Sequence, residues 1–445
     1  MKKIVLFIVL CLMSFVLWGQ SQNVRHIITP DGEVIHMRGQ QQLFVRGYAG
    51  EPIYVADHYV AANGSDDNAG TFTEPWATWQ KAFDNTAAGE LTYIRGGTYQ
   101  VSAIDAPGAY ATLKNGTSEN PICIYNYPGE IPILDMSNCT GTDQNFGVYL
   151  YDCDYWHLKG LRVTKTPHGT IDQPWSIAAH ASNYITFENL VAYNNHGCGI
   201  IFGGTDHGLM LNCDSYANYD YVNNTNGNGF AILGTINTST NTVRGCRSWD
   251  NEWGEGFGTW DVEGVAIYDS CWAWNNHGTD GDGYGFELGK TVEDQSTLLR
   301  RILTNCISAY NDSGYNQAEA NVIIHLFNNV SYSNVEAGYL FASTNPDNAH
   351  IVRNNLSYLD PIIGDFHSNA IRDHNSWQDG LVVNNADFVS LATSQLLSAR
   401  KANGSLPDIT CFHLVTGSDL KNAGVDVGIP YLGAAPDIGC FEFIE

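Results

Sequence analysis

The chain has 445 residues and a formal net charge of −26, from 21 Lys and Arg against 47 Asp and Glu. That balance excludes nucleic acid as a partner, because its recognition depends on basic side chains that neutralise phosphates. A polyanionic ligand would need a local basic patch or a bound cation such as Ca²⁺ to approach so acidic a protein.

Residues 1–20 read as a signal peptide. Lys2 and Lys3 form a charged start, Ile4 to Leu17 an apolar core, and Gly19, Gln20 and Ser21 offer a cleavage site. The apolar run is shorter than the ~18–20 residues a membrane span needs, and no later segment could span a bilayer. Cys11 lies inside the run with no small residue before it, which argues against a lipoprotein site. The expectation is a secreted, soluble protein, extracellular or periplasmic, acting as a monomer. Ten cysteines remain after the signal, and they lack the CxxC or Cys–His spacing of a structural zinc site.

Residues 21–90 are expected to hold N-terminal strands and a capping helix. Two strand-like runs flank the turn Pro30–Asp31–Gly32. The stretch TEPWATWQKAFDNTAAG then places Trp76, Trp79 and Ala82/Phe83 on one helical face. A helix there would cover the open end of a repeat array. LTYIRGGTY, from Leu91, reads as the first strand of that array.

From 91 to about 385 the chain repeats. One register position recurs at Leu190, Cys213, Cys246, Cys271, Cys306, Asn329 and Asn355, in steps of 23, 33, 25, 35, 23 and 26 residues. Two places on lies a small residue: Ala192, Ser215, Ser248, Ala273, Ser308, Ser331, Ser357. An aromatic usually follows, at Tyr193, Tyr216, Trp249, Trp274, Tyr332 and Tyr358. Asn stands at the fifth place: Asn195, Asn218, Asn251, Asn276, Asn311, Asn334. A period near 23 with occasional additions predicts stacked coils of short strands, a β-solenoid, with insertions in loops on one side where solenoids bind ligands. An exported chain can oxidise its cysteines to disulfides, but four in one register point the same way and equally predict a buried thiol ladder, since free Cys packs as a small hydrophobe. Residues 386–445 are less regular and are expected to wrap back over the array. They end in APDIGCFEF (435–443), read as a closing strand.

Aligning the second strand of each coil puts Ile200, Phe230, Phe257, Phe286, Tyr315 and Tyr339 in the core. Strand side chains alternate, so the next positions face out: Gly199 or Ile201, Ala231, Gly258, Glu287, Asn316, Leu340. Asn228, Glu255 and Tyr284 precede the stack; Trp260, Asp261 and Lys290 follow it. One surface strip thus gathers Glu255, Trp260, Asp261, Asp280, Asp282, Tyr284, Glu287, Lys290 and Asn316. Coils lie ~4.8 Å apart, so carboxylates on neighbouring coils can share a substrate or a cation. Glu287, Glu255, Asp282 and Asp261 are the candidate acid–base groups. Trp260, Tyr284, Lys290 and Asn316 are candidate substrate contacts. Glu255 and Asp282 are the best anchors for a weakly held Ca²⁺, if one binds. Each acid also has a plain structural reading, because Asp and Glu on solenoid turns commonly face solvent or cap backbone groups.

The entrance Tyr59–Val60, Asn63–Gly64–Ser65–Asp66, Gly70–Thr71 and Arg95–Gly96–Gly97–Thr98–Tyr99 resembles that of right-handed parallel β-helix proteins. The run 212–341 resembles the family 9 polysaccharide lyases, pectate lyase-like, through NCDSYAN, GNGFA, GCRSWDN, CWAWNN and GDGYGFELG. The resemblance implies an all-β fold, a right-handed parallel β-helix, that cleaves uronate polymers by β-elimination with a Lys base and Ca²⁺ held by aspartates. Glu287 stands where that base Lys belongs. In the family's Ca²⁺ stretch only Glu255 keeps an acid, Gly258 replaces the last Asp, and an upstream Asp has become Asn228. The expected function is therefore a secreted enzyme cleaving a polysaccharide in a groove, a lyase with altered machinery. A glycoside hydrolase using paired carboxylates and a noncatalytic glycan-binding or cell-surface solenoid are the alternatives.

Overall fold

A computed structural model describes residues 54–101, 108–139, 146–168, 174–222, 226–235, 239–278, 283–289, 295–318, 321–341 and 349–444. Further towards the N-terminus it describes only the backbone of short strands. Residues 1–20, expected to form a signal peptide, and Asp280, Asp282 and Lys290 lie outside the described residues. In the N-terminal unit Val24–Ile28 pairs antiparallel with Val34–Arg38.

The second unit is a parallel β-helix. Each coil contributes one strand to each of three sheets. Sheet 1 has 12 strands, from His58–Val60 to Ile371–Asp373. Sheet 2 has 10, from Gly97–Gln100 to Leu356–Tyr358, and sheet 3 has 10, from Ala109–Thr112 to Ile362–Phe366. Every pairing between coils is parallel, for example Phe230↔Phe257 and Phe257↔Phe286, and such crossovers are almost always right-handed. A 7-residue helix, Trp79–Asn85, precedes the first coil. Thr78 caps it by accepting from the Lys81 N–H, and Trp79, Ala82 and Phe83 bury its inner face.

The repeat exists because each interior residue packs on its own copy. Phe230, Phe257, Phe286, Tyr315 and Tyr339 stack with ring centroids 4.9, 4.9, 5.0 and 4.8 Å apart. Cys213, Cys246, Cys271 and Cys306 are fully buried and all ten described cysteines are free thiols, so the register position is a thiol ladder. It passes into an amide ladder at Asn329, whose Oδ1 accepts from the Cys306 N–H at 2.9 Å. The fifth-place asparagines form a second buried ladder. The Nδ2 groups of Asn195, Asn218, Asn251 and Asn276 each donate to the next Oδ1 at 2.9, 2.9, 2.8 and 2.9 Å. On the outside of sheet 2, Tyr193, Tyr216, Trp249 and Trp274 stack at 5.3, 4.3 and 4.9 Å.

The C-terminal tract lies against sheet 2. Phe388, Leu396, Ile409, Cys411, Phe412, Leu414, Leu420 and Ile438 pack on Trp272, Trp274, Ile307, Val330, Tyr332 and Leu356. Arg247 and Arg400 lock it through Asp214, which both contact at 2.7–2.8 Å. These two guanidiniums hold the buried Asp214 carboxyl below its ordinary range, against the burial that would raise it. The expected closing strand at 435–443 is not one. The segment is irregular there, and it is tied by single bonds from Ile438 N–H to Leu420 O and from Gly439 N–H to Asn354 O. Sheet 2 ends at Leu356–Tyr358 without taking it up as a further strand.

Candidate functional site

Sheet 3 positions the candidate residues in rows that run along the helix axis. The first outward row after the core stack pairs Tyr149, Ala178, Ile201, Ala231, Gly258, Glu287, Asn316 and Leu340, coil to coil. Two residues on, a second row pairs Tyr151, His180, Gly203, Leu233 and Trp260. At the entry corner of the sheet, Asn228, Glu255 and Tyr284 follow one another. Gly229 N–H donates to the Glu255 carbonyl at 2.8 Å and Gly256 N–H to the Tyr284 carbonyl at 2.8 Å.

The corner row and the first outward row meet over Gly258. A Cβ on this glycine would lie 3.4 Å from Asn228 Nδ2, 3.4 Å from Glu255 Oε2 and 3.7 Å from Glu287 Oε2. Two carboxylates from consecutive coils and one amide therefore converge on a spot that the glycine leaves without a side chain. Asn228 is held in place because its Oδ1 accepts from the Glu255 N–H at 3.0 Å. Glu255 is only 4% exposed and Glu287 is half-buried. The Thr259 hydroxyl donates to the Glu287 carbonyl at 3.1 Å, which fixes the strand beneath the carboxylate.

The other sequence candidates divide. Trp260 is 39% exposed at the end of the second row, and Tyr284 is half-buried in the corner row beside Glu255. Asn316 is buried next to Glu287 in its row, and its Oδ1 accepts from the Ala318 N–H at 2.5 Å, so it shapes its own turn. Asp261 lies in the turn after sheet 3 with φ 52°. Asp152, Ala181, Gly204 and Gly234 occupy the same left-handed rung on earlier coils at 51, 51, 58 and 54°. Asp tolerates this conformation better than most residues, which is the structural reason for it there. Asp282 and Lys290 fall outside the described residues.

Sequence reasoning passed over a group on the same face. Tyr149, Tyr151, Trp175 and His180 carry no register mark, but the alternation in VYLY, with Val148 and Leu150 fully buried, would have pointed both tyrosines outward.

Ca²⁺ takes six to eight oxygen ligands. Over Gly258 the described residues offer two carboxylates and an amide whose oxygen is already engaged. No group of three His, Cys, Asp or Glu among the described residues could hold a metal. These residues do not fit a calcium cage. Among the described residues, no helix is long and apolar enough to cross a membrane.

Comparison with known proteins agrees with this architecture. The family model described as "Pel9A-like, right handed beta helix region" matches residues 58–355. Pectate lyase L of Dickeya chrysanthemi is 30% identical over 399 residues, covering 86% of this chain and 90% of the relative. The crystal structure of pectate lyase Pel9A superposes with a TM-score of 0.72 at 29% identity, covering 87% of this chain and 96% of that one. A rhamnogalacturonan lyase superposes with a TM-score of 0.68 at 25% identity, covering 81% and 96%. The interior ladders, the three parallel sheets and these matches agree: the chain belongs to the Pel9A-like right-handed β-helix family.

Proposed function

We propose that the protein is an exported polysaccharide lyase whose acid–base work falls to a pair of glutamates. The convergence of Glu255, Glu287 and Asn228 over Gly258 carries this reading. β-Elimination needs a base to take the proton beside the sugar's carboxylate and an acid to protonate the leaving glycosidic oxygen. Acid and base work by two carboxyls requires that the pair hold one proton between them. One then serves as acid and the other as base, and the pair carries one charge fewer towards an anionic sugar. Glu287 is assigned to the sugar over Gly258 and Glu255 to its protonation partner. The Asn228 amide donates to a sugar oxygen, and Trp260 and Tyr284 flank the ring. The site is assembled from strands of one chain, and the protein is assigned to act as a monomer. The lyase relatives support elimination rather than hydrolysis.

The carboxylate pair also fits a glycoside hydrolase, in which the same two groups flank a glycosidic bond. One experiment separates the readings. Purified protein is incubated with pectic, algal and neutral polysaccharides, with and without a chelator, while unsaturated UV-absorbing products and new reducing ends are followed. The lyase reading expects both signals to rise together and to survive chelation. Reducing ends without UV absorbance would replace it with hydrolysis. Silence on every polymer would leave a glycan-binding solenoid, and loss of activity on chelation would overturn the metal-free assignment.

A further inference from the structure

Three and four coils before Gly258, the same face of sheet 3 carries a cluster of different chemistry. Tyr149 and Tyr151 point out of one strand, and Trp175 and His180 stand at the two ends of the next. The Tyr149 hydroxyl and His180 Nδ1 are 3.0 Å apart. Trp175 meets His180 edge-on at 5.6 Å, and Tyr151 meets it edge-on at 5.4 Å. Phe146 backs Tyr149 in a parallel stack at 4.3 Å. The indole reaches across the sheet: a Cβ on Gly203 would lie 3.7 Å from Trp175 Cη2 and 3.4 Å from His180 Cδ2. Under this layer the outward residues Ala178, Ile201 and Cys198 are 0, 1 and 3% exposed, while Tyr151 above is 43% exposed. Burial holds the His180 imidazole below its ordinary pKa and pushes the Tyr149 phenol up to about 12. Both are therefore uncharged near neutral pH.

We infer that the Trp175–His180–Tyr151 cluster is a second sugar-binding subsite, which takes an uncharged face of a pyranose ring of the same polysaccharide. The inference rests on the groove reading above. Flat aromatic faces with a polar rim suit a pyranose, whose C–H face stacks while its hydroxyls reach neutral donors and acceptors. Tyr151 shares a row with Trp260, with only His180, Gly203 and Leu233 between them, so one chain can lie along it. Three coil steps from Trp175 and His180, and four from Tyr151, at ~4.8 Å each put the subsite about 14–19 Å from Gly258. A bound polysaccharide would thus be held by several sugars beyond the one over Glu287, so the enzyme prefers polymers to short fragments. The two ends of the groove differ in charge, carboxylates at one and neutral rings at the other.

Tyr151→Ala in the full chain tests this, with Tyr151→Phe as control. The substrates are the polysaccharide cleaved in the screen above and a disaccharide derived from it, too short to reach both places. Tyr151→Ala is expected to raise KM on the polymer about five- to tenfold, the size of one lost ring contact, with kcat within twofold. Disaccharide kinetics should not move, and Tyr151→Phe should behave as wild type. An unchanged polymer KM, or an equal loss on the disaccharide, would overturn the subsite while leaving the glutamate assignment intact. If the wild type cleaves nothing, affinity electrophoresis in gels cast with pectic polysaccharide decides. Retardation of wild type but not of Tyr151→Ala supports the subsite without the lyase reading, and no retardation of either overturns it.

Discussion

Inside the coil, one rung copies the next. On the outer face of sheet 3, from Tyr149 to Leu340, no two neighbouring rungs carry the same side chain. The stacked core rings are spaced 4.8–5.0 Å apart, whereas the outward row passes through Tyr149, Ala178, Ile201, Ala231, Gly258, Glu287, Asn316 and Leu340. The interior repeats because each side chain's nearest neighbour is its own copy, so a shape that packs once packs at every step. The outer row has no such obligation. A buried carboxylate beside a bare glycine costs folding free energy rather than adding to it. Such residues mark where a ligand rather than the fold sets the choice.

The sharpest break between the two regions is expected at Glu287. Glu287→Gln keeps the shape and removes the acid or base, which typically costs ~10²–10⁴ in rate. Its melting temperature should stay near that of wild type, because Glu287 stands on the outward row of sheet 3 and glutamine keeps its shape. Full activity on the true substrate would move the assignment to Asp261, Tyr284 or Lys290. Glu287→Lys, which restores the residue the family resemblance expects, should not gain Ca²⁺-dependent activity, since Gly258 and Asn228 still stand where carboxylates would be needed. Both variants are read by the combined UV and reducing-end assay.

The interior should respond in the opposite way. Asn334 is 2% exposed, and its Nδ2 donates to Ser331 Oγ at 2.8 Å and to Asp360 Oδ1 at 3.0 Å. Its Oδ1 accepts from the Asn311 N–H at 3.0 Å. Asn334→Ala would leave those groups buried and unpaired, at a cost on the order of 3 kcal/mol. Denaturant unfolding should show that loss, while kcat per folded molecule stays within twofold of wild type. A variant that lost activity but not stability would mean that the ladder shapes the groove directly.

Much of this division was legible in the sequence. Cysteine and asparagine in register at Cys213 and Asn218 reveal a coil because only a stacked rung lets an amide or thiol bond to its copy. Alternation then places Glu287 outward. The meeting of Glu255 with Glu287 needs the bend at the entry corner of sheet 3, which periodicity does not encode. The tyrosine and tryptophan cluster was missed for a different reason. Its coils precede the marked register: Thr166, not asparagine, occupies the ladder position there, and its N–H donates to Asn195 Oδ1 at 3.0 Å. The rung is kept by the backbone after the side-chain signature is gone. Asp261 was singled out as a catalytic candidate, yet sequence does not distinguish an acid aimed at a groove from an acid chosen because it tolerates a left-handed turn.

The mildest effect is expected where the interior copy fails. Asp360 ends the asparagine ladder. Its Oδ1 accepts from the Asn334 N–H at 2.9 Å and from Asn334 Nδ2 at 3.0 Å, and its Oδ2 accepts from the Ser357 hydroxyl at 2.6 Å. At earlier rungs the pattern runs the other way: Nδ2 of Asn218, Asn251, Asn311 and Asn334 donates to the serine three residues back at 3.0, 3.0, 2.9 and 2.8 Å. Burial raises the Asp360 pKa above its ordinary 3.8, even against the donors that lower it. The folded state therefore holds this proton more tightly than the unfolded chain does. Stability falls as pH climbs from the unfolded pKa through the folded one, and the full penalty applies at neutral pH. Asp360→Asn keeps the oxygen that faces Asn334 and restores an amide towards Ser357, with no charge to bury. The variant should melt roughly 2 °C higher at pH 7, the scale of about one hydrogen bond, and the advantage should shrink as pH falls towards 4. A lower melting temperature at pH 7 would show instead that the three donors outweigh burial, and that the ladder is anchored by an ionised end.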